Sequence, residues 1–206
     1  QTKPSWPPIE EIESACEIYH LDSTIDFRLR ELEKSGSYFY PFHEHTKLIQ
    51  KIFDNLTQNK KEKENIIEIN NRKININAFA KGVLWANFEQ ICSSPRSASD
   101  YIELSKEFHT IIVSEVPVMN TDDEARRFIS FIDECYDRKV KWVISAAELP
   151  EKLYVQSRLS EKFKRTISRM IEMQSKDYLS QAHLAWKYND RHHINLISDN
   201  IKIWKI

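Results

Sequence analysis

The chain has 206 residues, 41% hydrophobic and 30% charged, the balance of a globular protein with a sizeable core rather than of a disordered segment. A formal net charge of −1 excludes a global electrostatic pull toward nucleic acid or an anionic membrane. Cys16, Cys92 and Cys135 are odd in number and far apart, which argues against a disulfide framework and a cysteine zinc site. With no apolar run of transmembrane length and no signal-peptide pattern, a cytoplasmic location is expected.

In chain order, Pro7 and Pro8 precede a short helix predicted over 9–16, and 17–21 reads as a short strand. The charged stretch 26–33 (DFRLREL within it) is a helical or linking segment, and 37–42 alternates weakly. Leu48, Ile49, Ile52, Phe53 and Leu56 recur at helical spacing, predicting an amphipathic helix over 44–56. Residues 59–65 form a charged, solvated connection. Runs 66–69 and 74–79 make a hairpin around Asn70-Asn71, where asparagine tolerates left-handed backbone. A strand over 83–88 and a helical turn over 89–92 follow, then a loop at Pro95-Arg96-Ser97. Ser97 and Asp100 have the spacing to cap the next helix.

The segment 101–150 is the most informative. Residues 110–118 are an apolar, β-branched run too short for a helix. Thr121 and Glu124 have capping-box spacing and open a helix with apolar positions Ala125, Phe128, Ile129, Ile132 and Tyr136. Residues 140–147 are a second buried strand. Strand, crossover helix and strand predict a right-handed βαβ unit of a parallel sheet. Such sheets place chemistry beyond the C-terminal ends of their strands, here near 114–117 and 145–148. Beyond the unit, Leu159, Phe163, Ile167, Met170, Ile171, Tyr178 and Leu179 predict one long helix over 157–184.

The strings IYHLDSTIDFRLREL, PRSASDYIELSKEFHT, FHTIIVSEVPVM, EARRFISFIDECYDRKVKWVISAAELPEKLY and FKRTISRMIEMQSKDYL, in that order, closely resemble the ZapE family of AAA-type ATPases, bacterial cell-division proteins with a mitochondrial branch. The resemblance runs from about residue 8 to 183 and covers the C-terminal half of a family member. It implies an α/β fold: the end of a P-loop ATPase core over 1–34, a hairpin and helix region over 35–95, a C-terminal α/β region over 96–185, and a divergent tail over 186–206. It also implies ATP and Mg as cofactors of the intact protein. The implied partner is the division ring of FtsZ filaments at the inner face of the cytoplasmic membrane, with self-association as an ATPase ring. The family's Walker A loop, Walker B acidic pair and sensor strand are expected upstream of Gln1. Gly36 and Gly82 are the only glycines, so no G-x-x-x-x-G-K-[ST] loop can occur. The chain alone is therefore expected not to hydrolyse ATP and to need no cofactor, and no catalytic or metal-binding residue is assigned.

Four arginines are the candidate nucleotide contacts. Arg126 and Arg127 lie in the first turn of a helix and could reach a neighbouring subunit's γ-phosphate; pairing with Asp122 and Asp123, four residues earlier, is the favoured alternative. Arg28, beside Arg30 in DFRLR, stands where a nucleotide-sensing arginine could act, against a plain solvated charge. Arg96 precedes a helix N-terminus, against simple capping by Ser97. Glu115 and Glu148 at neighbouring strand ends could hold a metal or act as acid and base, but ordinary solvation is favoured. His43 and His45 lack further zinc ligands, and His192-His193 carry less weight still.

Two functions follow as expectations. One is the C-terminal portion of an ATPase coupling hydrolysis to cell division; the other is a non-catalytic interaction module that kept the fold without the nucleotide site. Cut from its nucleotide-binding strands, the sheet is expected to expose an edge and an apolar face and to be poorly soluble alone.

Overall fold

The computed structural model describes residues 24–62, 65–156 and 158–185. The helix and strand expected over 9–21, Cys16, His192, His193 and the tail over 186–206 lie outside the described residues.

Helix α1 (Thr24–Ser35) leads into the short strand β1 (Tyr38–Phe39), a 3-10 turn (Phe42–Glu44) and helix α2 (Thr46–Thr57). The apolar positions of α2 behave as their spacing predicts: Ile49, Ile52, Phe53 and Leu56 are buried on one face. The helix ends where Gln58 turns left-handed at φ 54°. Strands β2 (Ile66–Ile69) and β3 (Arg72–Asn75) pair antiparallel, with Asn70 and Asn71 at φ 50° and 60° in the turn. Both asparagines occupy the left-handed conformation that a tight two-residue hairpin demands.

Strand β4 (Ala78–Ala80) pairs antiparallel with β5 (Val83–Asn87). A π-helical turn (Glu89–Ser93) and helix α3 (Ala98–Glu107) lead to strand β6 (Thr110–Val116). Helix α4 (Asp122–Asp137) then crosses to strand β7 (Lys141–Ala146). The five-stranded sheet runs β1-β7-β6-β5-β4, with every pair parallel except β4 with β5. The fold is α/β with a mostly parallel sheet, and the expected βαβ unit is β6-α4-β7. Strands from 35–95 and from 96–185 share this one sheet.

Alternation along the strands builds two cores. Leu84, Ala86, Ile111, Val113, Trp142 and Ile144 face α3, α4 and the helix α5 (Ser160–Glu172). Val83, Ile112 and Val143 face α1, α2 and the short helix α6 (Lys176–Ser180). The strands therefore read as continuous apolar runs, as parallel strands covered on both faces do. On the first face Phe128 of α4 stacks on Phe163 of α5 at 6.3 Å between ring centroids, and Phe131 meets Tyr101 of α3 edge-on at 5.8 Å. On the second, Phe53 of α2 covers Trp85 at 5.7 Å. Each buried aromatic contributes about 1.5–3 kcal/mol over an exposed one.

Three expectations change. The single strand expected over 74–79 is divided between two sheets, because Ile76 N–H bonds to Asn65 O at 3.0 Å while Asn77 N–H bonds to Trp85 O at 2.9 Å. The long C-terminal helix is two helices. The chain leaves α5 after Glu172, and the Ser175 hydroxyl accepts the Tyr178 N–H at 3.2 Å to open α6. Ile171, counted in the apolar stripe, is exposed while Met173 and Tyr178 are buried. The expected bare apolar face is absent among the described residues, since helices cover both sides of the sheet.

Candidate functional site

The C-terminal ends of β5, β6 and β7 meet at one edge of the sheet, where such folds bind ligands. Beside them, the 3-10 turn and the start of α2 close a cavity of about 200 Å³. Phe42, Ile49 and Trp85 give it apolar walls, and Ser114, Glu115 and Ser145 bring polar groups to it.

Strand β6 is irregular at this point. Its register against β7 shifts between Val113 and Val116, and Glu115 has a left-handed φ of 60°. The other described non-glycine residues with positive φ sit in turns or after helices; Glu115 alone lies inside a strand. A left-handed, β-bulged residue of this kind stores about 1–3 kcal/mol and re-aims a side chain. Here the bulge presents the exposed Glu115 carboxylate at the cavity rim.

A hydrogen-bonded chain holds it there. Asn77 Nδ2 donates to Asn87 Oδ1 at 2.6 Å, and Asn87 Nδ2 donates to Glu115 Oε2 at 2.9 Å. The Glu115 N–H donates to Ser145 Oγ at 3.3 Å, and the Trp85 indole N–H donates to Ser114 Oγ. Sequence reading picked out the strand ends but not Trp85 and Asn87, on the neighbouring strand β5, or Asn77, in the connection between β3 and β4. Glu148 does not join Glu115 in this network; it faces Lys152 at 3.6 Å, and its carbonyl accepts the Tyr38 hydroxyl at 2.6 Å. Burial, with Glu151 and Glu148 nearby, pushes the Tyr38 phenol well above its ordinary value.

The arginines fall into two groups. Arg96 donates to Gln90 O at 3.0 Å, and Arg127 donates to Cys92 O and Ser93 O. Both guanidinium groups thus hold carbonyls of the π-helical turn, whose own backbone leaves those oxygens without helical partners. Arg126 instead lies exposed and pairs with Asp123 at 3.1 Å. The ion pair foreseen on this helix forms, but three residues apart; Asp122 accepts from Tyr154 at 2.6 Å and faces Arg158 at 3.4 Å. Arg28 lies on α1, and its side chain is outside the described residues.

The remaining capping expectations hold. Thr121 Oγ1 accepts the Glu124 N–H at 3.2 Å, and Asp100 Oδ2 accepts the Ser97 N–H at 2.9 Å. His45 bonds the Tyr40 carbonyl at 3.3 Å, and His43 lies against Phe42. Among the described residues no three His, Cys, Asp or Glu side chains converge, and no helix is long and apolar enough to cross a membrane.

The sequence matches the family described as AFG1-like ATPase over residues 3–182. It is 38% identical over 182 residues to Cell division protein ZapE of Escherichia coli (strain K12), covering 87% of this chain and 48% of that protein. It is 27% identical over 210 residues to Lactation elevated protein 1 homolog B of Danio rerio, covering 84% of this chain and 42% of that protein. The chain thus spans about half the length of the curated relatives it matches. No solved structure matches it.

Proposed function

The chain belongs to the AFG1-like ATPase family, and from that premise we propose that it is the C-terminal portion of a ZapE-like ATPase. In this reading the intact protein couples ATP binding and hydrolysis to bacterial cell division at the FtsZ ring, working in the cytoplasm at the division site. The observation that carries the reading is the 38% identity to a cell-division protein along 87% of the chain.

The strand-end cavity does not fit Mg·ATP. The one charged side chain lining the strand-end cavity is the Glu115 carboxylate, which repels phosphate. Arg96 and Arg127 are engaged with the π turn, and the sequence has no phosphate-binding glycine loop. Hydrolysis is therefore assigned to residues outside this chain. Arg126, exposed at the first turn of α4, and Arg28, which enters by the family resemblance, remain the proposed contacts to nucleotide held by an upstream domain or by a neighbouring subunit of a ring.

Phosphate release by the whole reading frame and by this chain tests the proposal. The whole protein should hydrolyse ATP and the chain alone should not; turnover by the chain itself, or none by a whole protein carrying a P-loop, would overturn it.

A second reading is that of a non-catalytic interaction module, favoured by the closed α/β/α body with both sheet faces covered. Cosedimentation of the chain with FtsZ filaments in the absence of nucleotide separates the two: ATP-independent binding supports the module.

A further inference from the structure

We infer that the strand-end cavity binds a cationic head on an aliphatic stem, a guanidinium or primary ammonium, with Glu115 as its counter-charge. This inference stands on the cavity and does not rest on the ATPase reading.

The backbone is bent to present a carboxylate. Glu115 occupies a left-handed position inside the central strand, a conformation that Gly or Asn would adopt more easily. Asn87 holds Oε2, itself held by Asn77, so among the described residues the second carboxylate oxygen, Oε1, has no donor and can accept one. No Lys, Arg or His lies within ion-pair distance of Glu115 among the described residues. The exposed carboxylates on α4 and α5, Asp123 and Glu161, do find cations of their own.

The neighbouring groups fit the same ligand. Ser114 and Ser145 each accept a bond at Oγ, from Trp85 and from the Glu115 N–H, and keep lone-pair capacity toward the cavity. Phe42, Ile49 and Trp85 form walls suited to methylene groups, and an aromatic face beside a cation adds attraction. The volume of about 200 Å³ is below that of a drug- or nucleotide-sized pocket and suits a single long side chain or a small amine.

The test uses the full chain, ¹⁵N-labelled, with the Trp85 indole N–H resonance as reporter. The probes are n-butylguanidine, its neutral isostere n-butylurea, and N-acetyl-arginine amide. Saturable shifts with butylguanidine, at least tenfold weaker with butylurea and at least tenfold weaker in Glu115→Gln, are expected. Equal binding of the guanidine and the urea, or no shift with either, would overturn the inference without recourse to any variant. If N-acetyl-arginine amide binds as well as butylguanidine, the natural occupant is a polypeptide side chain; if it is excluded while butylguanidine binds, the occupant is a small free amine.

Discussion

Asn70 Nδ2 donates to Asp100 Oδ1 at 2.9 Å, joining the tip of the β2–β3 hairpin to the first turn of α3. The same carboxylate caps Ser97 N–H at 2.9 Å and faces Arg72 at 3.5 Å. Burial alone would raise its pKa, but the bonds from Asn70 and Ser97 together with Arg72 outweigh this and hold it below the ordinary value.

Asp100→Ala should therefore destabilise the chain by about 2 kcal/mol, combining a lost cap with lost charge-assisted bonds. Because the folded pKa is depressed, the contribution is present above the unfolded value of about 3.9 and fades as pH falls through the lower folded one. Urea unfolding at pH 7 and pH 3 checks both parts. A wild-type–variant gap that is undiminished at pH 3 would contradict the electrostatic account.

Arg126 and Arg127 are neighbours in sequence with opposite structural fates. Arg127→Met removes donors to Cys92 O and Ser93 O and should cost about 1–3 kcal/mol. Arg126→Met removes one exposed pair with Asp123 and should stay within about 0.5 kcal/mol. Thermal melts of the two variants decide it, and a larger loss for Arg126→Met would refute the assignment of Arg127 to the π turn. With stability unaffected, Arg126→Met in the whole protein then gives a clean reading of the proposed nucleotide contact.

The unit from β6 to β7 was legible because its strands are buried on both faces and its helix carries both a cap and an apolar stripe. The hairpin was legible from Asn70-Asn71 alone. What escaped was set by tertiary contacts. Periodicity ran through Met173–Ser175 unbroken, because the turn keeps Met170, Met173 and Tyr178 on one core; only Ser175 marks the interruption. The strand-end network escaped for a related reason. Asn77 and Asn87 fall within the strands expected over 74–79 and 83–88, and nothing local marks either as a site residue until the register of β5 on β6 brings Asn87 opposite Ser114.

Gly82 and Gly36 both have positive φ, at 74° and 78°, yet a side chain at each meets different surroundings. A Cβ on Gly82 would lie 2.7 Å from His109 Cδ2, whereas nothing lies within 4 Å of one on Gly36. The His109 ring cannot easily withdraw, since it bonds Lys81 O at 2.9 Å and Thr110 Oγ1 at 2.8 Å. Gly36→Ala should cost about 1 kcal/mol for backbone strain alone, and Gly82→Ala about 1–3 kcal/mol more through the displaced ring. Equal melting temperatures for the two variants would show that the ring yields freely.

His183 closes the opposite end of the sheet, its Nε2–H donating to Ser105 O at 2.7 Å. Half-burial pushes its pKa down, and the positive charges of Lys141 and Arg138 add to this, against the opposing pull of the Ser105 carbonyl. The His109 ring lies 6.4 Å away. A base with a depressed folded pKa binds fewer protons when native than when unfolded. Stability is then complete above the unfolded value of about 6.5 and declines as pH falls below it. Glu107, raised by burial and by Glu103, acts in the opposite sense at lower pH, so the wild-type curve alone is ambiguous. The difference between wild type and His183→Gln isolates the imidazole. Between pH 7 and pH 5 the variant should lose less stability than the wild type, measured by urea unfolding at each pH. Parallel curves would mean that His183 binds protons equally in the folded and unfolded chain, its bond to Ser105 cancelling the effect of burial.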